Sequence, residues 1–284
     1  MTDRVCIVTG ANSGIGKEIA RGLAARRAKV VMICRNHIRG ETAQQEIQSS
    51  TGNANLQLFL CDLSSMASVR AVADQLLQRL PRIDVLVHNA GLINGSRRET
   101  TEGLENTFAV NHLAPFLLTG LLLGRLRAAA NARIVNVSSR AHMEGFLDVT
   151  DLQMERSSYS PWRAYRASKL AQLLFTYELA RRLPASTGVT VNCCHPGWVA
   201  SNFGRDGGLL TRIGVALTRP LQISNVEGAR TPLYLAMSEE VTGITGRYFV
   251  AERDARSSAL SYDEQLARRL WEASTRLAGG LSPG

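Results

Sequence analysis

The sequence predicts one α/β domain built on a doubly wound, mostly parallel sheet with helices on both faces. Short β-branched runs alternate with longer helical segments along all 284 residues. No Pro/Gly/Ser-rich linker divides the chain, and a glycine-rich turn follows the first apolar run. Strands that alternate with helices pair in parallel, and right-handed crossovers then place the helices on both faces of the sheet.

Each element follows from the pattern of apolar residues. Seven strands are predicted, at residues 4–9, 29–34, 56–61, 83–88, 133–138, 189–194 and 246–250. Helices are predicted at 14–25, from the second strand to about 50, at 65–80, at 104–130 with a break near Pro115, at 164–183 and at 226–237. This order of elements is that of a single-domain Rossmann fold spanning residues 1–284.

Composition excludes several classes of protein. An apolar share of 45% with 20% charged residues is ordinary for a globular protein. The net charge of +9 comes from arginines scattered in ones and twos, without the dense basic tract and interleaved aromatics that would predict nucleic-acid binding. With no apolar run long enough to span a bilayer and no signal peptide, a cytoplasmic protein is expected. The five cysteines lack C-x-x-C spacing, so we expect buried reduced thiols and no metal site.

A glycine turn at residues 9–16, Thr-Gly-Ala-Asn-Ser-Gly-Ile-Gly, joins the first strand to the first helix. Gly10 would make the turn, Gly14 would let the backbone approach a phosphate, and Gly16 would let helix and strand pack closely. A helix N-terminus behind such a turn receives the pyrophosphate of a dinucleotide. The turn therefore predicts a nicotinamide dinucleotide site.

The end of the second strand indicates which dinucleotide binds. An NAD site carries a carboxylate there for the ribose hydroxyl, whereas this chain has Arg35. Arginine binds a 2′-phosphate bidentately, so NADP(H) is favoured. Lys17 is either a further source of positive potential at this site or an exposed lysine in the first turn of a helix.

Tyr165 and Lys169 lie one helical turn apart, on the same helix face. A phenol is an effective proton donor near neutral pH only if its pKa is shifted from its ordinary value near 10. We expect Lys169 to lower the pKa of Tyr165 and to hold the nicotinamide ribose. Tyr159 is followed four residues later by an arginine, Arg163, and is not a candidate for this role.

Further motifs follow in a fixed order. They are His88-Asn89-Ala90-Gly91, Val110 to Phe116, Val135-Asn136-Val137-Ser138-Ser139, Tyr165 to Lys169 and His195-Pro196-Gly197. Together with the glycine turn they make the chain resemble the short-chain dehydrogenase/reductase family over essentially its whole length, in its retinol dehydrogenase-like and carbonyl reductase branch.

The resemblance implies a catalytic tetrad and a set of cofactor contacts. Ser139, with Ser138 as the alternative, would hydrogen-bond the substrate oxygen, and Asn111 would complete the tetrad through a helix distortion and an ordered water. Asp62 would bind the adenine, its alternative role being the N-cap of the next helix. The implied cofactor contacts are Asn12, Ser13, Ile15, Asp62, Leu63, Asn89, Ala90, Gly91, Tyr165, Lys169, Pro196, Gly197, Val199 and Ser201, beside the three glycines and Arg35.

Two segments are expected on the substrate side. Ser139 and Tyr165 are 26 residues apart, so residues 141–162 form an insertion that we expect to contribute to the substrate wall; His142 and His112 nearby are expected to be structural. Residues 205–224 are apolar with interspersed arginines and lie where the family carries a lid. This lid contacts either a membrane surface or an oligomer partner.

The sequence thus predicts an NADP(H)-dependent oxidoreductase that interconverts an apolar aldehyde or ketone and its alcohol, with a retinoid or a lipid-derived carbonyl as substrate. Two alternatives remain at this point. One is a non-catalytic NADP(H)-sensing protein, and the other is an NAD-dependent alcohol dehydrogenase of a different substrate class. By family analogy alone, the helices that contain Asn111 and Tyr165 would form a homo-oligomer interface.

Overall fold

Eight strands form one sheet in the computed structural model, which describes residues 3–197 and 223–283. The strands are β1 Val5–Thr9, β2 Lys29–Cys34, β3 Leu56–Leu60, β4 Val85–His88, β5 Arg133–Val137, β6 Thr190–His195, β7 Tyr248–Val250 and β8 Arg253–Asp254. Strands β1 to β7 pair in parallel, and only β8 at the edge is antiparallel to its neighbour within the described residues. The predicted α/β Rossmann fold is confirmed.

The strand order is β3-β2-β1-β4-β5-β6-β7-β8, so the chain reverses its direction of winding between β1 and β4. In parallel sheets of this kind, ligands bind outside the carboxyl ends of the strands at such a switch point. The register pairs Cys6 with Val85 and Val8 with Val87, which brings the residues that follow β1 beside those that follow β4.

Helices cover both faces of the sheet. They are α1 Gly14–Ala25, α2 His37–Thr51, α3 Met66–Arg79, α4 Asn106–Phe108, α5 Ala114–Arg127, α6 Pro161–Arg182, α7 Asn225–Met237 and α8 Glu264–Leu277. One apolar core lies between the sheet and α1, α2 and α7, and the other lies between the sheet and α3, α5, α6 and α8. Because both faces of the sheet are buried, its strands are apolar at successive positions.

A π-helical turn at Ala109–Leu113 interrupts the predicted helix 104–130 and joins α4 to α5. The predicted break near Pro115 is therefore a few residues too late. Pro115 lies in the first turn of α5, where the missing N–H of proline has little cost. By length and composition alone the stretch Asn106–Arg127 is a candidate membrane span, yet 83% of its most apolar 18 residues are buried inside the protein.

The strand predictions are confirmed, and two elements were missed. Strand β8 has only two residues and therefore no sequence period. Helix α8 does carry an amphipathic signal, since Ala267, Leu270, Trp271 and Ser274 are buried on one face. All five cysteines are buried free thiols, as predicted, and burial raises the pKa of each.

Candidate active site

A cleft of about 1130 Å³ opens at the carboxyl ends of the parallel strands. It is lined by the predicted residues Gly10, Asn12, Ser13, Gly14, Ile15, Gly16, Arg35, Asp62, Leu63, Asn89, Ala90, Gly91, Ser139, Tyr165, Lys169, Pro196 and Gly197. Val199, Ser201 and the lid up to residue 222 lie outside the described residues. One fold thus brings together residues that are spread over nearly two hundred positions of the chain.

The glycine turn has a shape that only glycine permits. Gly10 and Gly14 have positive φ angles of 67° and 55°, which L side chains rarely adopt. A Cβ atom on Gly16 would lie 2.4 Å from the Gly10 carbonyl oxygen and 2.4 Å from Nδ2 of the Asn89 side chain. The turn therefore packs directly against the chain that leaves β4, as the predicted role of Gly16 requires.

The N-terminus of α1 faces the cleft without a side-chain cap. Ser13 occupies the N-cap position but makes no capping hydrogen bond, whereas Asn36 and Ser65 cap α2 and α3. The first N–H groups of an uncapped helix, together with its dipole, attract an anion. Because no acidic residue lies in this first turn, the arrangement fits a dinucleotide pyrophosphate.

Thr9 holds the ends of β1 and β4 together. Its hydroxyl accepts hydrogen bonds from the backbone N–H groups of Asn89 (3.0 Å) and Ala90 (3.1 Å). The Asn89 side-chain amide donates to the Thr9 carbonyl oxygen at 3.0 Å. Asn89 thus shapes the floor of the cleft through the backbone of both strands.

Two guanidinium groups line the end of the cleft beyond β2. Arg35 follows the strand directly, and Arg39 reaches the same end from the first turn of α2, where its N–H bonds the Asn36 side chain. Two arginines suit a phosphate group better than the ribose hydroxyl of NAD. Lys17 does not join them, because it forms an ion pair with Glu46 of α2.

Asp62 lines the cleft and also orders the turn after β3. Its carboxylate accepts hydrogen bonds from the N–H (2.9 Å) and the hydroxyl (2.7 Å) of Ser64. The N-cap of α3 is Ser65, which accepts from the Ser68 N–H. Asp62 is therefore not the helix cap proposed as its alternative role.

Tyr165 and Ser139 meet at the inner end of the cleft. Ser139 comes from the end of β5 and Tyr165 from the first turns of α6, and their hydroxyls are hydrogen-bonded. Burial raises the pKa of Tyr165 to about 12, and the bond to Ser139 opposes this shift. Desolvation of the phenol is the largest cause of this shift, and the lowering of the Tyr165 pKa by Lys169 stays a prediction.

Lys169 lies beneath Tyr165. Its Nζ atom is 5.6 Å from the centroid of the Tyr165 ring and donates to the Val137 carbonyl oxygen (3.1 Å) and to Gln172 Oε1 (3.0 Å). A Cβ on Gly91 would lie 3.4 Å from Nζ, so the ammonium forms part of the cleft floor. Burial lowers the pKa of Lys169 to about 8.

Asn111 lies in the π-helical turn, the distortion that the resemblance implied. Its side chain is fully buried and does not line the cleft. It accepts from the Leu92 N–H and donates to the Leu92 carbonyl oxygen, both at 2.9 Å, and donates to the Ser168 hydroxyl at 2.9 Å. Through these bonds Asn111 ties the chain after β4 to helix α6.

The two neighbouring serines at the end of β5 have different surroundings. Ser138 is buried, and its hydroxyl donates to the Lys169 carbonyl oxygen at 3.0 Å. Ser139 faces Tyr165, so the geometry favours it over Ser138 as a partner of the substrate. His142 connects this segment to the chain near Ser258. Its Nδ1 lies 2.7 Å from the Ser139 carbonyl oxygen, and its Nε2 accepts from the Ser258 N–H.

The insertion 141–162 reaches the cleft only at its two ends. Met143 and Glu144 line the cleft from the first end and Trp162 from the second. The middle packs away from the cleft, where Arg97 donates to the Gln153 carbonyl oxygen at 2.9 Å. The Tyr159 hydroxyl bonds Glu105 at 3.3 Å and does not line the cleft.

Three residues of the site escaped the sequence analysis. Arg39 lies four residues after Arg35, Gln172 follows Lys169 by three residues, and Thr9 opens the glycine motif. Residues three apart on a helix lie side by side, so the spacing on α6 would have selected Gln172, whereas Arg35 precedes α2 and no helical spacing selects Arg39.

The sheet order, the glycine turn and the cleft define a Rossmann-type dinucleotide-binding protein with a serine, a tyrosine and a lysine at the inner end of its site. The chain belongs to the short-chain dehydrogenase family, whose profile matches residues 4–207.

Known relatives agree with this assignment. Retinol dehydrogenase 13 of Homo sapiens is 40% identical over 287 residues, covering 99% of this chain and 86% of the relative. Retinol dehydrogenase 12 of Mus musculus is 42% identical over 276 residues, covering 97% of this chain and 86% of the relative.

Solved structures share the fold over most of their length. An uncharacterized protein from Mycobacterium paratuberculosis has a TM-score of 0.81 at 33% identity, covering 100% of this chain and 96% of its own. The NADP complex of RhlG from Pseudomonas aeruginosa has a TM-score of 0.70 at 26% identity, covering 88% of this chain and 94% of its own.

Proposed function

We propose that the protein is an NADP(H)-dependent oxidoreductase that interconverts an apolar aldehyde or ketone and the corresponding alcohol. The observation that carries this proposal is the hydrogen bond between the hydroxyls of Tyr165 and Ser139, made above the ammonium of Lys169 at the inner end of a dinucleotide-sized cleft. A proton donor and a hydrogen-bond donor that converge on one point are what reduction of a carbonyl group requires.

NADP(H), when bound, supplies the hydride in reduction and accepts it in oxidation. The backbone of the glycine turn and the N-terminus of α1 would hold its pyrophosphate, and Arg35 with Arg39 would hold its 2′-phosphate. Lys169 would hold the nicotinamide ribose.

The side chains of the protein perform the proton transfer. Tyr165 donates its proton to the carbonyl oxygen of the substrate, and Ser139 donates a hydrogen bond to the same oxygen. Burial raises the pKa of Tyr165, so it carries this proton at neutral pH, and the nearby Lys169 ammonium is expected to lower that pKa enough for the transfer. The phenolate that forms is stabilised by the Lys169 ammonium, and the steps run in reverse when the alcohol is oxidised.

The apolar substrate class is supported by the substrate end of the cleft. Met143 and Trp162 line it, and 51% of the Met143 residue surface and 40% of that of Trp162 are exposed. The two retinol dehydrogenases named above act on an apolar alcohol by their names. We also propose that the protein is cytoplasmic, that it associates peripherally with membranes through residues 205–224, and that it forms a homo-oligomer.

The experiment is NADPH and NADH oxidation with all-trans-retinal and a panel of apolar aldehydes and ketones. We expect turnover with NADPH in the wild-type protein and a loss of about 10²- to 10⁴-fold in Tyr165→Phe, since a general acid contributes that much. Tyr159→Phe is the matched control, because its hydroxyl bonds Glu105 outside the cleft, and it should retain activity.

Two results would contradict the proposal. NADPH binding without turnover, equal in the wild-type protein and in Tyr165→Phe, would indicate a cofactor-sensing protein. Turnover with NADH and small polar alcohols in place of NADPH and apolar carbonyls would indicate a dehydrogenase of a different class.

A further inference from the structure

A row of polar side chains crosses the otherwise apolar contact between β5 and α6. We call it the β5–α6 polar row, and its members are Asn136, Ser138, Lys169, Gln172 and Thr176. All five are buried, with at most 4% of any one exposed. The three members on α6 are spaced three and four residues apart, so they follow one face of the helix.

Hydrogen bonds connect the row along its length. Ser138 donates to the Lys169 carbonyl oxygen at 3.0 Å, and Thr176 donates to the Gln172 carbonyl oxygen at 2.7 Å. The Asn136 side-chain amide donates to the Thr176 hydroxyl at 2.9 Å. Lys169 and Ser138 are the members that line the cleft, and the other three extend from them into the core.

Gln172 is in direct contact with the charged end of Lys169. An ammonium has three N–H donors, and here two of them are held by the Val137 carbonyl oxygen (3.1 Å) and by Gln172 Oε1 (3.0 Å). With two donors held in this way a third remains, and Lys169 lines the cleft. Gln172 and Val137 thereby determine the direction in which the ammonium points.

The amide of Gln172 is not explained by stability. Its Nε2 atom is buried without a hydrogen-bond partner among the described residues, and so is Oδ1 of Asn136. A buried polar group without a partner destabilises the folded state, so the Nε2 half of this amide has a cost that only the contact of its Oε1 half with Lys169 offsets. Departures of this kind from good packing are expected where a residue serves function.

We infer that Gln172 is a positioning residue, whose side-chain oxygen aims the Lys169 ammonium at the floor of the cleft and favours its charged form. The inference deepens the proposed function and rests on it for the role of Lys169. It concerns a contact inside the protein, so it is testable without cofactor and without turnover.

Neutral oxygen atoms provide the stabilisation of this cation. The titratable groups that face Lys169 are Cys193 and Cys194 from β6 and Tyr165 from its own helix. Burial raises the pKa of all three groups, so they are uncharged at neutral pH. β5 contributes only the Val137 carbonyl oxygen to Nζ, which leaves the Gln172 oxygen as the acceptor that a substitution is able to change.

The chain offers a direct measurement, because it contains only three lysines, Lys17, Lys29 and Lys169. Protein labelled with ¹³C at the lysine ε carbons gives three signals, and the one absent from Lys169→Arg belongs to Lys169. Its titration is followed in the wild-type protein, in Gln172→Met, in Gln172→Glu and in the matched control Gln44→Met, whose amide bonds the Leu56 carbonyl oxygen on the other face of the sheet.

We expect opposite shifts of the Lys169 pKa. Gln172→Met removes an acceptor and lowers this pKa below its wild-type value of about 8. Gln172→Glu adds a carboxylate and raises it by about one pH unit or more. Gln44→Met leaves it unchanged. In the same variants, the alkaline limb of the pH profile of kcat/KM for NADPH oxidation should move in the same directions.

Failure of the inference is distinguishable from failure of the proposed function. A Lys169 titration that is the same in all variants overturns the inference, whether or not the enzyme turns over. If Gln172→Met lowers the unfolding temperature but leaves the Lys169 pKa unchanged, Gln172 is a packing residue, and the inference is overturned as well. Opposite shifts in a protein without carbonyl reductase activity support the contact and contradict the proposed function.

Discussion

At the scale of single residues, neighbours in the sequence have different tasks because they face different surroundings. Both Ser138 and Ser139 line the cleft, yet Ser138 donates to the Lys169 carbonyl oxygen while Ser139 contacts Tyr165. Lys17 was a candidate for the cofactor, yet it pairs with Glu46, and Arg39 takes its place beside Arg35. The chemistry of a residue type is thus necessary for a role, but the direction of its side chain decides whether it has that role.

Arg35→Ala is expected to weaken NADPH binding by about 10- to 100-fold, which corresponds to the loss of a hydrogen bond to a charged group. NADH binding should change little, because NADH has no 2′-phosphate. The dissociation constants are measured by protein fluorescence. Arg39→Ala should show the same selective effect, whereas Arg127→Ala on the exposed end of α5 should show none; equal weakening for both cofactors would argue against a 2′-phosphate site.

At the scale of elements, the site depends on the close approach of α1 to the ends of β1 and β4. The uncapped helix N-terminus and the bonds of Thr9 to Asn89 and Ala90 come together only because these strands are adjacent. The π-helical turn acts in a similar way on the opposite core, since it directs Asn111 towards Leu92 and Ser168.

Gly16→Ala is expected to reduce NADPH affinity at least about tenfold, since its Cβ would lie 2.4 Å from backbone of the glycine turn and force it apart. Gly124→Ala is the matched control. A Cβ there meets nothing within 4 Å, so this helical substitution should stabilise the fold by about 0.5–1 kcal/mol and leave affinity unchanged. Thermal unfolding and NADPH titration of both variants make the comparison, and unaltered NADPH binding by Gly16→Ala would contradict the assigned role of the turn.

At the scale of the whole molecule, burial favours the neutral form of four histidines. Burial lowers the pKa of His88 and of His112 to about 3. The pKa of His195 is lowered to about 4, mainly by burial, and burial also lowers the pKa of His142. In the unfolded chain these groups titrate near 6.5. Below that pH the unfolded state therefore binds more protons than the folded state, and the free energy of unfolding falls as the pH falls.

We expect the free energy of unfolding to be largest above pH 6.5 and to decline as the pH falls to 5, with a slope that approaches about 1.4 kcal/mol per pH unit for each of His88, His112 and His195. Denaturant unfolding at several pH values measures this slope. His112→Gln should reduce the slope by one histidine's share. A slope that His112→Gln does not alter would mean that His112 is not held neutral by the fold.

The sequence by itself determined the strands, the glycine turn and the Tyr165–Lys169 pair. These signals are local, because apolar periodicity and the spacing of a few residues along one element carry them. The buried thiols were predictable on the same basis, whereas the strand order with its reversal beside β1 joins residues far apart in the chain. The missed helix α8 was also within reach, since its apolar face has a regular helical period.

Only the tertiary structure decided which side chains meet. The surroundings of each side chain decide that Arg39 lies beside Arg35 in the cleft. They also decide that Ser139 rather than Ser138 contacts Tyr165, and that burial raises the pKa of Tyr165. The contact of Gln172 with Lys169 further depends on how α6 packs on β5. The physical reason is that direction and desolvation are set by strand register and helix packing, which join residues far apart in the chain.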